Sequence, residues 1–179
     1  VVVLEAQMLM GRILMEQGDD ELRSSLRLPE SFFLGADLTY TFMALNGLMH
    51  WADQKYKLEE QIRADYPRIQ EEFLAGQFPA DILEKFRDLL VDLGQKPIIV
   101  RSSSLLEDNF GTSFAGKYES HFCPNQGSLD DNLHDFVHAI ARIYASMLHP
   151  DALLYRRARG LQDYDERMAI LIQVVQGWS

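Results

Sequence analysis

The chain has 179 residues, enough for one domain of ordinary size with a sizeable core. Its longest apolar runs, such as Met168 to Val175 broken by Gln173, fall far short of the roughly 20 residues that span a bilayer, which argues against a membrane protein. A formal net charge of −10 argues against a general nucleic-acid binder, which needs a basic stripe to release counterions; a single mononucleotide held by a local arginine cluster stays compatible with it.

One cysteine, Cys123, leaves no partner for a disulfide within the chain and fits a reducing cytoplasm, with a packed small residue as its plain reading. No secretory-signal pattern opens the sequence, and Val1 reads as a cut made inside a longer chain.

Leu4, Met8, Leu9, Ile13 and Leu14 fall at helical spacing and predict a helix over 4–17, ending near Gly18 and followed by a polar connector to Pro29. Phe32 to Leu34 predicts a short strand. A helix follows from Ala36-Asp37 to Leu48, with the Asp37 carboxylate near its start, where the helix dipole favours it. Residues 51–75 read as a longer charged amphipathic helix interrupted near Pro67. Between Pro79 and Leu93 the residues Ile82, Leu83, Phe86, Leu89 and Leu90 recur at helical intervals, and Gly94 is placed to cap that helix.

A strand then starts at Ile98, and Tyr118 to Phe122 predicts a second one, with a turn at Pro124-Asn125-Gln126-Gly127. Leu129 to Met147 and Pro150 to Gly160 read as helices. Met168 to Val175 is a β-branched and aliphatic run, the mark of a strand buried on both faces. The expected fold class is α+β, with helices around a small mixed sheet and without the regular alternation of a Rossmann domain.

The densest chemistry lies in residues 97–122. An apolar strand delivers Arg101, whose planar guanidinium can fork onto two phosphate oxygens, into a run of hydroxyl residues, Ser102, Ser103 and Ser104. Small side chains let backbone N–H groups approach an anion, and Gly116 permits an unusual dihedral or such an approach. Taken alone these residues stay ambiguous, because an arginine at a strand end is also a common surface ion pair.

The run Val100-Arg-Ser-Ser-Ser-Leu-Leu-Glu-Asp108, followed by Ser113-Phe-Ala-Gly-Lys-Tyr-Glu-Ser120, resembles the nucleotide-binding segment of the phosphoenolpyruvate synthase and pyruvate phosphate dikinase family. The likeness continues through Ala139-Ile140, Tyr144-Ala-Ser146, Tyr155-Arg156 and Met168-Ala-Ile-Leu-Ile-Gln173, and covers about residues 29–179, with 1–28 as a preceding helix and connector. It implies the N-terminal subdomain of an ATP-grasp-like nucleotide-binding domain. Under it Arg101 contacts the ATP phosphates and serves the chemistry, with Ser102 and Ser103 beside it. Gly116 and Ser120 lie along the phosphate-covering loop, and Gln173, Val174 and Val175 border the adenine. For Val174 and Val175 a plain core strand remains an equal reading.

Two positions depart from the family pattern: Val3 stands where relatives carry a lysine near a glycine-rich loop, and Lys117 where many have glutamine. Ser179 follows Gln173 by six residues, so the second half of the cleft, with its magnesium carboxylate, is expected outside this sequence, as is the phosphohistidine domain. The implied partners are therefore ATP with Mg²⁺ and the rest of a parent chain. The implied parent is a phosphotransferase that moves a phosphoryl group through a histidine to an acceptor such as pyruvate. The alternative is a non-catalytic module that senses a nucleotide or mediates interaction.

Other constellations carry less. His134 and His138, four apart with Asp135 between them, nearly match a zinc-protease pattern but have no third ligand at a recognised spacing, so no metal site is assigned. Glu107 and Asp108 read as solvated loop residues or as partners that position Arg101. Arg142, Arg156, Arg157 and Arg159 form a cationic group, with surface pairing to Asp163, Asp165 and Glu166 as the expectation for Arg157 and Arg159.

Overall fold

The computed structural model of the protein describes residues 30–104, 118–166 and 168–175. The helix expected over 4–17, the Val3 position and the loop holding Glu107, Asp108, Gly116 and Lys117 lie outside the described residues.

Strand β1 (Ser31–Leu34) leads into helix α1 (Asp37–Leu45) and a 3₁₀ helix over Met49–Tyr56, followed by α2 (Glu59–Leu74) and α3 (Ala80–Leu93). Strands β2 (Ile98–Ser104) and β3 (Ser120–Cys123) come next, then α4 (Leu129–Ser146), α5 (Pro150–Ala158) and β4 (Met168–Val174). The four strands form one sheet in the order β1-β4-β2-β3. Every pairing is antiparallel, so the described sheet is α+β as expected but not mixed.

Opposed residues of an antiparallel ladder share a face, and successive residues alternate between faces. On one face Ile98 and Val100 pair across to Val174 and Ile172, and these four join the buried core with the inner sides of the helices. Phe32 and Leu34 of β1 lie on that side too and pack against the same core. Hydrophobic burial at about 25 cal/mol per Å² makes this face the main source of stability. The other face carries Ser31, Phe33, Ile99, Arg101, Ser103, Ala169, Leu171, Gln173, Ser120 and Phe122 by the same register, and none of these joins the core cluster.

Helix α2 runs unbroken through Pro67, against the sequence expectation of an interruption. Ile62 and Tyr66 before the proline and Ile69 and Phe73 after it are buried, while Pro67 faces solvent. Anchoring on both sides outweighs the roughly 3 kcal/mol that an interior proline costs an isolated helix. The segment before it, expected to belong to the same helix, is a separate 3₁₀ turn that buries Trp51 and Gln54.

Helix α3 buries Phe86, Leu90 and Leu93 and stops at Gly94, whose φ of 62° is open to glycine at little steric cost. Beyond β3, Asn125 Nδ2 donates to Gly94 O at 2.7 Å and to Lys96 O at 3.2 Å, joining the approach to β2 to the turn that leaves β3. Helix α4 opens on a reciprocal cap: Asp131 N donates to Ser128 Oγ at 3.2 Å, and Ser128 N donates to Asp131 Oδ2 at 3.3 Å. Ser128→Ala is expected to lower the unfolding free energy by about 1 kcal/mol, read as a lower urea midpoint at unchanged slope. An unchanged midpoint would show that Asp131 alone satisfies the helix start.

The arginine group does other work than expected. Arg156 is buried; its guanidinium donates to Met147 O at 2.7 Å and approaches Glu166 at 4.0 Å. Arg157 donates to the main-chain oxygens of Lys55 and Lys57 at 2.7 Å each, tying α5 to the 3₁₀ segment. Arg159 lies over the Tyr155 ring. For Arg156 and Arg157 the cause is shared: planar guanidinium forks take up main-chain carbonyls that helix ends leave unpaired, which a charge count does not reveal.

Candidate functional site

The sheet face turned away from the core gathers most of the residues singled out around Arg101. Ser120 of β3 lies directly opposite Arg101 on one side, and Leu171 of β4 on the other, with Phe33 of β1 beyond it. One row along, Ser31, Gln173, Ile99 and Phe122 cross all four strands at a common level. Ser103 lies in the next row on the other side, opposite Ala169.

Arg101 is exposed, and among the described residues no carboxylate lies within ion-pair distance of it. The strand that carries it is held on both sides by ladders, so the guanidinium projects from a backbone with little freedom. Ser120 is exposed beside it. Diagonal neighbours on such a face stand about 7–8 Å apart, which is the separation of Arg101 and Gln173. Gln173 is half-buried and donates from Nε2 to Ser31 Oγ at 3.4 Å.

Other expected site residues fall elsewhere. Ser102 pairs with Ile170 and turns to the helix side; its N–H donates to Glu119 O at 3.4 Å. Val174 pairs with Ile98 and is buried on the core side. Its N–H donates to Glu30 O at 2.9 Å. Val175 stands just past the strand end, exposed, with its N–H donating to Pro97 O at 2.9 Å. Gly116 lies outside the described residues. Thus Arg101, Ser103, Ser120 and Gln173 are brought together on one face, while Ser102 and Val174 point the other way.

Immediately before β3, Glu119 is tied down from several directions. Its carboxylate meets His121 Nε2 at 2.7 Å, and its own N–H donates to Ser146 Oγ of α4 at 3.4 Å. The hydrogen bond from His121 holds the Glu119 carboxyl below the usual glutamate range. Partial burial opposes that, and the charges of His121, Arg142 and His149 assist it. A depressed folded pKa contributes stability above the unfolded value of about 4.3 and loses it as pH falls through the folded value. Glu119→Gln is therefore expected to flatten the acid side of a plot of thermal midpoint against pH. A parallel displacement of the whole curve would show that the carboxylate's ionisation does not matter there.

Phe122 and the Glu119–His121 pair were missed in sequence reasoning. The alternation Ser120-His121-Phe122-Cys123 could have revealed that Phe122 shares a face with Ser120, because Cys123 is the buried member; burial pushes its thiol up to about 11. His134 and His138 lie with ring centroids 3.9 Å apart on the outside of α4. No group of three or more His, Cys, Asp or Glu side chains that could hold a metal ion occurs among the described residues. Nor is any helix among them long and apolar enough to cross a membrane.

Comparison with known proteins gives the chain a family. The phosphoenolpyruvate synthase of Aquifex aeolicus (strain VF5) is 26% identical over 162 residues, an alignment that covers 83% of this chain and 18% of that protein. The chain spans less than a fifth of the length of the curated relative it matches. Residues 8–177 match the family described as pyruvate phosphate dikinase, AMP/ATP-binding domain. With almost its whole length accounted for by that one family, the chain belongs to the pyruvate phosphate dikinase AMP/ATP-binding domain family.

Proposed function

We propose that the outer face of the sheet holds the triphosphate of ATP against Arg101, in a larger phosphoenolpyruvate synthase-like or dikinase-like phosphotransferase. The observation that carries the reading is Arg101 itself: an exposed guanidinium on a rigid central strand, without an ion-pair partner among the described residues, beside the hydroxyls of Ser103 and Ser120. A bidentate fork aimed at an anion is the strongest single use of such a group. Gln173 and Val175, at the other end of the same ladder, would border the base. Val174 would contribute only through its backbone, and Ser102 only by fixing the strand, since their side chains face the core. Gly116 would belong to the loop that covers the phosphates.

In this reading residues 29–179 are the first part of an ATP-grasp-like domain in a cytoplasmic enzyme, and the cleft is completed by a second half elsewhere in the parent. ATP would give up a phosphoryl group to a histidine domain, and that histidine would pass it to an acceptor such as pyruvate. Phosphoryl transfer needs little from the protein beyond positioning and stabilisation of charge on the moving group, which is the work assigned to Arg101. Mg²⁺ would arrive on the triphosphate, with its protein ligands outside the described residues.

The experiment is calorimetric titration of Mg·ATP into this chain and into the natural full-length polypeptide. Saturable binding by the longer protein, with weaker or no binding by this chain, is the result expected of a cleft shared between two halves. Binding by the full-length protein without any phosphoryl transfer would favour a nucleotide-sensing module. Absence of binding by both, in folded protein, would overturn the reading.

A further inference from the structure

We propose that Phe122 is the aromatic wall of the nucleobase subsite, so that the row Ser31, Gln173, Ile99 and Phe122 forms the floor on which a purine lies; this rests on the reading that the face holds ATP. Phe122 is 60% exposed although it sits within a ladder. Its strand neighbours His121 and Cys123 occupy the core side, so the ring stands on the outer face with Ile99 directly opposite. An aromatic ring left that open forgoes most of its burial energy in this chain, and on this face it flanks the residues assigned to the nucleotide.

The dimensions suit a purine. Across Ile99, Phe122 and Gln173 are two inter-strand spacings apart, about 10 Å between backbones. A flat bicyclic base resting on the Ile99 side chain reaches from the aromatic ring on one side to the Gln173 amide on the other. That amide is steadied by its hydrogen bond to Ser31 Oγ at 3.4 Å. A pyrimidine is too short to meet both. Phe122 is also diagonal to Arg101, about 7–8 Å away, so a nucleotide whose phosphates meet the guanidinium has its ribose and base in the Phe122 row. The ring would therefore govern preference for purine over pyrimidine nucleotides, while the phosphates contribute affinity regardless of base.

The test uses the natural full-length polypeptide and four variants, Phe122→Ala, Phe122→Leu, Phe122→Trp and Arg101→Ala. Titration with Mg·ATP, Mg·CTP and inorganic tripolyphosphate separates base from phosphate. Expected for Phe122→Ala is a roughly tenfold weaker Kd for ATP, an unchanged Kd for tripolyphosphate, and an ATP-over-CTP preference that falls towards one. Phe122→Trp should retain the preference and Phe122→Leu should lose most of it, which distinguishes an aromatic face from mere apolar bulk. Arg101→Ala should weaken all three ligands together.

Unchanged ATP affinity and base preference in Phe122→Ala, with Arg101→Ala still weakening every ligand, would overturn the role of Phe122 and leave the phosphate site standing. Equal losses for ATP and tripolyphosphate in Phe122→Ala would overturn it as well, because they would mean a disturbed sheet. Failure of the wild-type protein to bind either ATP or tripolyphosphate would instead bring down the nucleotide reading beneath it.

Discussion

On the function proposed above, Arg101→Ala is expected to lower kcat/KM for ATP-dependent phosphoryl transfer by the full-length protein by about 2–4 kcal/mol of transition-state stabilisation, roughly 30- to 1,000-fold. The side chain is exposed on the outer sheet face, so its removal leaves the core beneath Val100 untouched and the melting temperature unchanged. Arg101→Lys should recover only part of the loss, because an ammonium keeps the charge but not the two-pronged geometry. Steady-state kinetics beside a thermal melt decides the matter: near-wild-type turnover at an unchanged melt would place the phosphates elsewhere.

Phe42→Ala should carry the largest penalty in stability. The Phe42 ring is fully buried, with centroids of Phe78 at 4.7 Å, Tyr144 at 5.6 Å and Phe73 at 6.0 Å, so it joins α1, α2 and α4 at one point. Losing it removes the transfer energy of the ring and leaves a void that rigid aromatic neighbours cannot close, about 3–5 kcal/mol by analogy with other core truncations. A domain of this size has only about 5–15 kcal/mol in reserve. Gly76 lies against the same ring, and a Cβ there would run into it. Gly76→Ala should therefore destabilise the wild-type protein and do so less in the Phe42→Ala background, where the space exists. Urea unfolding of the two single variants and the double variant measures this, and strict additivity would show that the two positions do not share that space.

What could be read beforehand depended on whether one segment carried its own signal. Ile82, Leu83, Phe86, Leu89 and Leu90 declared α3, and Gly94 its end, because amphipathic spacing and a cap are local properties. The apolar run of β4 was equally plain. Pro67 misled because its effect was decided by Tyr66 and Ile69 anchoring the helix on either side, a tertiary fact. The expected mixed sheet depended on strand directions, which no single segment records. Among the candidate site residues, Arg101, Ser103, Ser120 and Gln173 share a face only through the register of three strands, and the same register turns Ser102 and Val174 away. Phe122 was passed over because a phenylalanine in a strand ordinarily signals core, whereas the alternation with buried Cys123 and the pairing with Ile99 put it on the outer face.

The double hydrogen bond from Asn125 to Gly94 O and Lys96 O acts as a guard against slippage. A strand has a period of two, so sliding β2 by a single residue against β3 and β4 would bury the Arg101 guanidinium and put Val100 in its place outside. Such a misthreaded sheet would keep its secondary structure while losing the exposed cation of its outer face. The side-chain amide of Asn125 ties the residues that lead into β2 to the turn that leaves β3, at the Ile98–Cys123 end of the ladder, and a shifted alignment would draw it away from those two carbonyls. The alignment of the outer face is thus set where β2 begins, by a residue that itself adopts a left-handed φ of 55°.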